Sequence, residues 1–289
     1  MIINWFPGHM ATARRKLVEA MPKVDVVIEV LDARLPRASA NPLLDELRRD
    51  KPCLKLLNKT DLADPAATKD WIKYFNAQKN TRALAVSAKK ASELMRIKKI
   101  CRELAPKRGT PGRPVRVVVV GIPNVGKSTL INSLAGRKIA RVGDKPAITT
   151  CQQQVDLRDG IMLYDTPGML WPDLSDQQAA YRLAAAGSIG DNAMDPYIVS
   201  LFALDFLLQR YPRQLQSRYN LERLEGGPEE LLLDIGRRRG CLIAGGEVDP
   251  QRASELVLRE LRAGSIGAIS LELPQDPVIR KKETQVQVP

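Results

Sequence analysis

The chain has 289 residues, 44% of them hydrophobic, enough for a buried core and, at about 150 residues per domain, for two domains. Four isolated cysteines, one histidine and no apolar run of membrane-spanning length argue against a disulfide scaffold, a Cys/His metal site, secretion and a membrane anchor; a cytoplasmic protein with reduced thiols is expected. The net charge of +12 is uneven, with 31 Lys and Arg against 17 Asp and Glu in residues 1–174 and 14 against 16 in residues 175–289, so the excess favours a polyanionic partner, nucleic acid above all, over a merely solubilising role.

Residues 4–10, Asn4-Trp5-Phe6-Pro7-Gly8-His9-Met10, form an aromatic, Pro-Gly-broken opening before a basic helix from Ala11 to Met21. Val24 to Leu31 reads as a strand covered on both faces and runs into Asp32-Ala33-Arg34. A short helix from Leu43 to Arg49 precedes a second buried strand, Cys53 to Leu57, which ends in Asn58-Lys59-Thr60-Asp61. Trp71 to Ala77 reads as a helix, and Leu84 to Val86 as a strand entering Ser87-Ala88-Lys89. An amphipathic, basic helix follows, with Leu94, Ile97, Ile100, Cys101 and Leu104 at helical spacing.

The apolar run Val115 to Val120 then leads into Gly121-Ile122-Pro123-Asn124-Val125-Gly126-Lys127-Ser128-Thr129 and a helix beginning near Leu130. This G-x-x-x-x-G-K-S spacing between strand and helix is that of a phosphate cradle. Backbone N–H groups from Asn124 to Thr129 and the positive helix end surround a polyphosphate, Lys127 reaches its terminal groups, and Ser128 takes a magnesium ion. Strands at Gln153–Leu157 and Ile161–Tyr164 follow, the second ending in Asp165-Thr166-Pro167-Gly168. Asp165 is placed to hold magnesium through water and the Gly168 N–H to sense a γ-phosphate, while Thr149 or its neighbour Thr150 covers the metal.

Asp61 offers two acceptors to the N1–H and 2-amino group of guanine, for which adenine has no counterpart, and a buried carboxylate left unpaired is costly. Lys59 can lie along the base, Asn58 can tie this loop to the phosphate loop, and Ser87 and Ala88 can present a backbone N–H to the guanine carbonyl. From Asp176 on the pattern is helical only, at Gln177–Ala186, Pro196–Gln209, Glu229–Arg238 and Gln251–Leu261. The expectation is an α/β domain over residues 1–174 with a doubly wound, mostly parallel sheet, an all-α domain over 175–273, and a flexible tail over 274–289.

With its guanine-reading elements ahead of the phosphate loop, the chain resembles a translation-factor-type GTPase in circularly permuted order. More closely it is similar to the ribosome biogenesis GTPase A family, through Trp5-Phe6-Pro7-Gly8-His9-Met10 with Arg14-Arg15, Asp32-Ala33-Arg34, Pro123 to Ser128, and Ile235 to Cys241 followed by Gly245-Gly246. The similarity covers all but residues 274–289. It implies a GTPase using magnesium that assists assembly of the large ribosomal subunit by binding rRNA and pre-ribosomal particles, with neither membrane nor DNA as partner. It also implies that His9 replaces the water-positioning glutamine, since Met169 and Leu170 stand where that residue lies; the other reading of His9 is packing beside Trp5 and Phe6. Asn124 resembles a potassium ligand and is otherwise a tolerant turn residue. Arg237, Arg238 and Arg239 either grip RNA or complement a helix end. The competing functions are an RNA-binding module holding nucleotide without turnover, and a P-loop kinase or ATPase, against which Asp61 speaks.

Overall fold

The computed structural model describes residues 15, 17–87, 91–110, 112–139, 153–165 and 176–277. Six strands, β1 (Val26–Asp32), β2 (Cys53–Asn58), β3 (Thr81–Ala85), β4 (Val115–Gly121), β5 (Gln153–Asp156) and β6 (Ile161–Asp165), form one sheet in the order β3-β2-β1-β4-β6-β5. All neighbours are parallel except β5 against β6. Every residue of β1 and β2 is buried, as continuous apolar strands require when both faces are covered. The phosphate-loop strand β4 therefore stands beside β1 at the middle of the sheet although it comes fourth in the chain. The loops after β1, β2, β4 and β6 all leave from the carboxyl edge, where doubly wound sheets bind their ligands.

A charged pair sits in the interior of this sheet, away from the strand ends. Glu29 and Lys55 are register partners on β1 and β2, both buried, with Lys55 Nζ donating to Glu29 Oε2 at 2.5 Å. Glu29 Oε1 also accepts from the Asn41 N–H at 2.8 Å, and Lys55 lies over the Phe75 ring. Each charge entered the interior only because the other was there to meet it. Cys53, Cys101 and Cys241 are buried free thiols, and burial pushes Cys53 and Cys101 up to about 12, far from thiolate chemistry.

Helices α1 (Pro36–Ser39), α2 (Pro42–Arg48), α3 (Pro65–Asn76), α4 (Ala91–Leu104) and α5 (Lys127–Ala135) surround the sheet. α3 begins six residues before the expected Trp71. Asp64 Oδ1 accepts from the Ala66 and Ala67 N–H groups and Pro65 occupies the first turn, so the start is set by a cap and not by the apolar period. The short α1, unexpected in a polar loop, follows Leu35 and starts on Pro36. β3 likewise begins at Thr81, three residues earlier than expected, because its pairing with β2 runs from Cys53 to Leu57.

Beyond residue 176 come α6 (Gln177–Ala185), α7 (Pro196–Arg210), α8 (Pro212–Tyr219), α9 (Pro228–Arg238) and α10 (Pro250–Ala263). α8 was not anticipated; Pro212 starts it directly after α7, and buried Leu215 and Tyr219 lie one turn apart. These helices share a core with one face of the sheet, in which Val117, Ile122 and Leu130 join Leu183, Leu204 and Leu258. After α10 the chain returns to the sheet edge. The Ile269 N–H donates to Leu62 O, the Leu271 N–H to Arg34 O, and the Trp71 indole N–H to Glu272 O.

The sequence places a flexible tail from residue 274, but the structure fastens the chain through Asp276. Arg37 donates to Pro274 O and Asp276 O, and Arg210 to Asp276 Oδ1 at 2.7 Å. Glu272 is buried, and its Oε1 accepts from the Arg37 and Ala38 N–H groups at the start of α1. Burial pushes its carboxyl from the ordinary 4.5 up to about 7, against the pull of those N–H groups, Arg182 and Arg37. The folded state therefore holds this proton more tightly than the unfolded chain, so its contribution is full below pH 4.5 and is lost as pH rises through about 7. Glu272→Gln keeps an acceptor for α1 and cannot ionise. Urea unfolding over a pH series should show the parent losing about 3 kcal/mol relative to this variant between the two limits; a constant difference would mean a carboxyl that titrates in the folded state where it does in the unfolded chain.

Candidate functional site

The turn between β4 and α5 carries the phosphate-binding spacing, and its backbone has the required shape. Asn124 and Gly126 both have positive φ, 59° and 93°, and α5 begins at Lys127 directly after Gly126. Such a turn points successive N–H groups into one concavity at a helix N-terminus. Gly121 leaves β4 so close to β1 that a Cβ there would stand 2.8 Å from Val30 O. Above Gly126 a Cβ would lie 2.3 Å from Asn58 Nδ2, so the glycine makes room for the neighbouring loop as well as for a ligand.

That Asn58 amide donates to Val125 O at 2.8 Å, the tie between base loop and phosphate loop that the sequence suggested. Lys127 is buried, with Nζ 2.5 Å from Oδ1 of the buried Asp165 at the end of β6. A carboxylate, an ammonium and the adjacent Ser128 hydroxyl at a helix start form a donor set that fits a magnesium-bound polyphosphate: oxygen ligands for the hard cation, positive charge for the phosphates. Thr129 follows in the same first turn of α5.

The base loop is built around Asp32. Its carboxylate is fully buried and receives a fork from Arg34, Nε to Oδ1 at 2.9 Å and Nη2 to Oδ2 at 2.7 Å, together with Lys59 Nζ at 2.9 Å. Burial pushes the Asp32 carboxyl up, yet Arg34 and Lys59 outweigh it and hold the group well below the usual carboxylate range. Burial likewise disfavours the Arg34 charge, and Asp32, with Asp61 farther off, more than restores it. Lys59, at φ 61°, thus leaves the turn with its ammonium anchored to Asp32. Thr60 Oγ1 donates to Val86 O at 3.2 Å, joining the loops after β2 and β3, while Asp61 is exposed at the same edge. The Ser87 N–H donates to the Glu93 carboxylate at the start of α4.

Nothing in the sequence pointed to the C-terminal end of α6, yet its carbonyls close the site from the far side. Arg262 of α10 donates to Ala184 O at 2.9 Å and Ala185 O at 3.2 Å, Arg34 Nη2 to Ala186 O at 3.1 Å, and Asn124 Nδ2 to Gly187 O at 3.0 Å. Two guanidinium groups at a helix C-terminus satisfy orphan carbonyls and complement the dipole. Asp32-Ala33-Arg34 stood out in the sequence only as a resemblance; its role as the junction of three loops came from residues distant in sequence.

The structure thus brings together Asn58, Lys59, Thr60, Asp61, Ser87, Asn124, Val125, Gly126, Lys127, Ser128, Thr129 and Asp165 along one sheet edge. His9, Ala88, Thr149, Thr150 and Gly168 lie outside the described residues. Because Asn58 Nδ2 occupies the space above Gly126, Gly126→Ala should cost about 2 kcal/mol for the left-handed backbone and more for the displaced amide. In an Asn58→Ala background the second part should vanish, leaving a coupling of about 1 kcal/mol or more in a double-mutant cycle by urea unfolding.

Comparison with known proteins bears on this geometry. The family model "50S ribosome-binding GTPase" matches residues 116–213, from β4 onward; the guanine-reading residues 58–61, earlier in this permuted chain, lie outside that match. Ribosome biogenesis GTPase A of Bacillus cereus is 45% identical over 283 residues, covering 96% of this chain and 95% of that protein. Two solved structures of T. maritima YlqF superpose: the GDP-bound form with TM-score 0.67 and 29% identity, covering 91% of this chain, and the GNP-bound form with TM-score 0.65 and 28% identity, covering 92%, each over 100% of that chain. Identity at this level along nearly the whole of both sequences, on a permuted G-domain sheet, places the chain in the ribosome biogenesis GTPase A family.

Proposed function

We propose that this GTPase binds GTP with magnesium between the loops after β2, β3, β4 and β6, hydrolyses it, and acts in the cytoplasm in assembly of the large ribosomal subunit by contacting rRNA. The observation that carries the reading is the Asn58 to Val125 bond, which holds a guanine-reading loop and a phosphate loop as one unit. In it Asp61 selects guanine, with the Ser87-Ala88 backbone facing the carbonyl of the base. Lys127 neutralises the phosphates, Ser128 and Asp165 serve the metal with Thr149 above it, and Gly168 reports the γ-phosphate. His9 orients the attacking water. A potassium ion at Asn124 would be held by the amide oxygen, the cation-ligating atom of that side chain, while its nitrogen donates to Gly187 O.

Multiple-turnover phosphate release is the measure of catalysis, run with ribosomal subunits present and in potassium against sodium. Lys127→Ala should lower turnover about a hundredfold or more, and His9→Ala should lower kcat while GTP affinity stays near the parent value. Asp61→Asn should weaken GTP binding by about a hundredfold and favour xanthosine triphosphate. Parent-like GTP affinity in that variant would remove Asp61 from the base site, and parent turnover in His9→Ala would return His9 to packing.

The basic excess of residues 1–174 supports the rRNA contact, as does the end of α9. The three arginines there differ. All are exposed, but Arg237 lies beside Asp234 and Arg238 donates to Asn220 O, whereas Arg239 joins Arg218 in holding the Glu260 carboxylate. RNA contact is therefore assigned to Arg237 and Arg238. Sedimentation with pre-ribosomal particles should be tighter with a non-hydrolysable GTP analogue than with GDP and should fall at least about tenfold between roughly 50 and 200 mM salt. Arg237→Gln/Arg238→Gln should weaken it without changing intrinsic hydrolysis; particle affinity equal to the parent's would refute the assignment.

A further inference from the structure

The loop that carries Asp61 is held from two sides. Upstream, Asn58 is bonded to Val125 O and Lys59 to Asp32. Downstream, the bonds come from the helical part of the chain. The Ile269 N–H donates to Leu62 O at 2.9 Å, and the Asp64 N–H donates to Ser270 Oγ at 3.2 Å. The Tyr211 hydroxyl accepts from the Ser270 N–H at 3.1 Å and lies 3.3 Å from Asp64 Oδ2 and 3.2 Å from Ser270 O, with one proton to share between those oxygens. Asp64 Oδ1 meanwhile caps α3, so the same residue fixes the helix start and the end of the loop. Leu62 fills the space beside Gly264 at the end of α10, where a Cβ would stand 2.7 Å from its Cδ2. Tyr211 and Ser270 are both buried.

We propose that Tyr211 and Ser270 are positioning residues for guanine selection, holding the Asp61 carboxylate at the base edge through Asp64. This rests on the reading of Asp61 as the guanine-selecting group. A carboxylate that must meet two N–H groups of a planar base at once tolerates displacement of only about 0.5 Å, so the chain on both sides of it has to be fixed. One side is fixed by the nucleotide-binding loops themselves. The other is fixed by hydroxyls that lie about 150 and 210 residues further along the chain and touch no nucleotide group, which makes base discrimination depend on docking of the helical region.

The test compares GDP with inosine diphosphate, which lacks the 2-amino group, by titration calorimetry on the full chain. Tyr211→Phe/Ser270→Ala should reduce GDP affinity about fivefold or more and inosine diphosphate affinity less, drawing their ratio toward one, while magnesium pyrophosphate binding keeps its parent value. If the double variant fails to fold, Ser270→Ala alone, which removes one bond to Asp64, should lower the ratio about twofold. Asp61→Asn is the control. If it leaves the ratio unchanged, the reading of Asp61 fails and the inference falls with it. If it abolishes the ratio while the folded hydroxyl variants keep the parent ratio, guanine reading by Asp61 stands and the positioning role alone is overturned.

Discussion

Much of the nucleotide site depends on the charge cluster at the end of β1. Asp32 is a fully buried carboxylate that two cations must neutralise, and those cations come from different loops: Arg34 from its own and Lys59 from the base loop. Removing one member of such a cluster strands the others in a low dielectric at a cost of about 3–5 kcal/mol. What the cluster specifies is geometry. Arg34 reaches Ala186 O at the end of α6, its own carbonyl accepts from Leu271, and Ser39 Oγ accepts from the Asp32 N–H. The base loop, the first short helix and the helical region thus meet around one carboxylate.

The helical region is therefore part of the nucleotide site's construction. The C-terminal end of α6 accepts from Asn124 of the phosphate loop and from Arg34, and the chain after α10 bonds to both Leu62 and Arg34. In the permuted order the segment after Gly168 leads in sequence straight into these helices. Among the described residues, further connections run through Asn124, Arg34, Leu62 and Asp64. Any change that a nucleotide imposes on the phosphate loop meets α6 directly at Gly187, and a shift in that contact is also a shift in the helices that follow.

Charge is arranged by the same division. Within the helical region acidic groups are consumed in holding the structure together: Glu260 by Arg218 and Arg239, Glu272 by the start of α1, Asp276 by Arg210. In the sheet region Asp25 is shared by Arg108 and Arg116, and Asp159 by Lys98 and Arg102. The basic helix α4 thus sets two of its cations, Lys98 and Arg102, against the single carboxylate of Asp159.

Sequence alone determined the elements whose signals are local. Continuous apolar runs marked the buried strands β1, β2 and β4, and G-x-x-x-x-G-K-S after such a run marked the phosphate loop. N-K-x-D and D-x-x-G at strand ends, met in an order opposite to the usual one, marked a permuted GTPase, because each motif requires only its own residues and the strand before it. Starts governed by caps, as at Pro65, and short proline-led helices, as at Pro36 and Pro212, lay beyond periodicity, which sees only faces wide enough to bury. Tertiary structure alone decided what Asp32 and Arg34 do, that Asn58 fills the space above Gly126, that α6 ends on Asn124, and that Tyr211 and Ser270 hold the loop of Asp61. Those contacts join residues up to about 240 positions apart. A hydrogen bond between such residues leaves no period or spacing in the chain, since its geometry exists only once the sheet and the helices have packed on a common core.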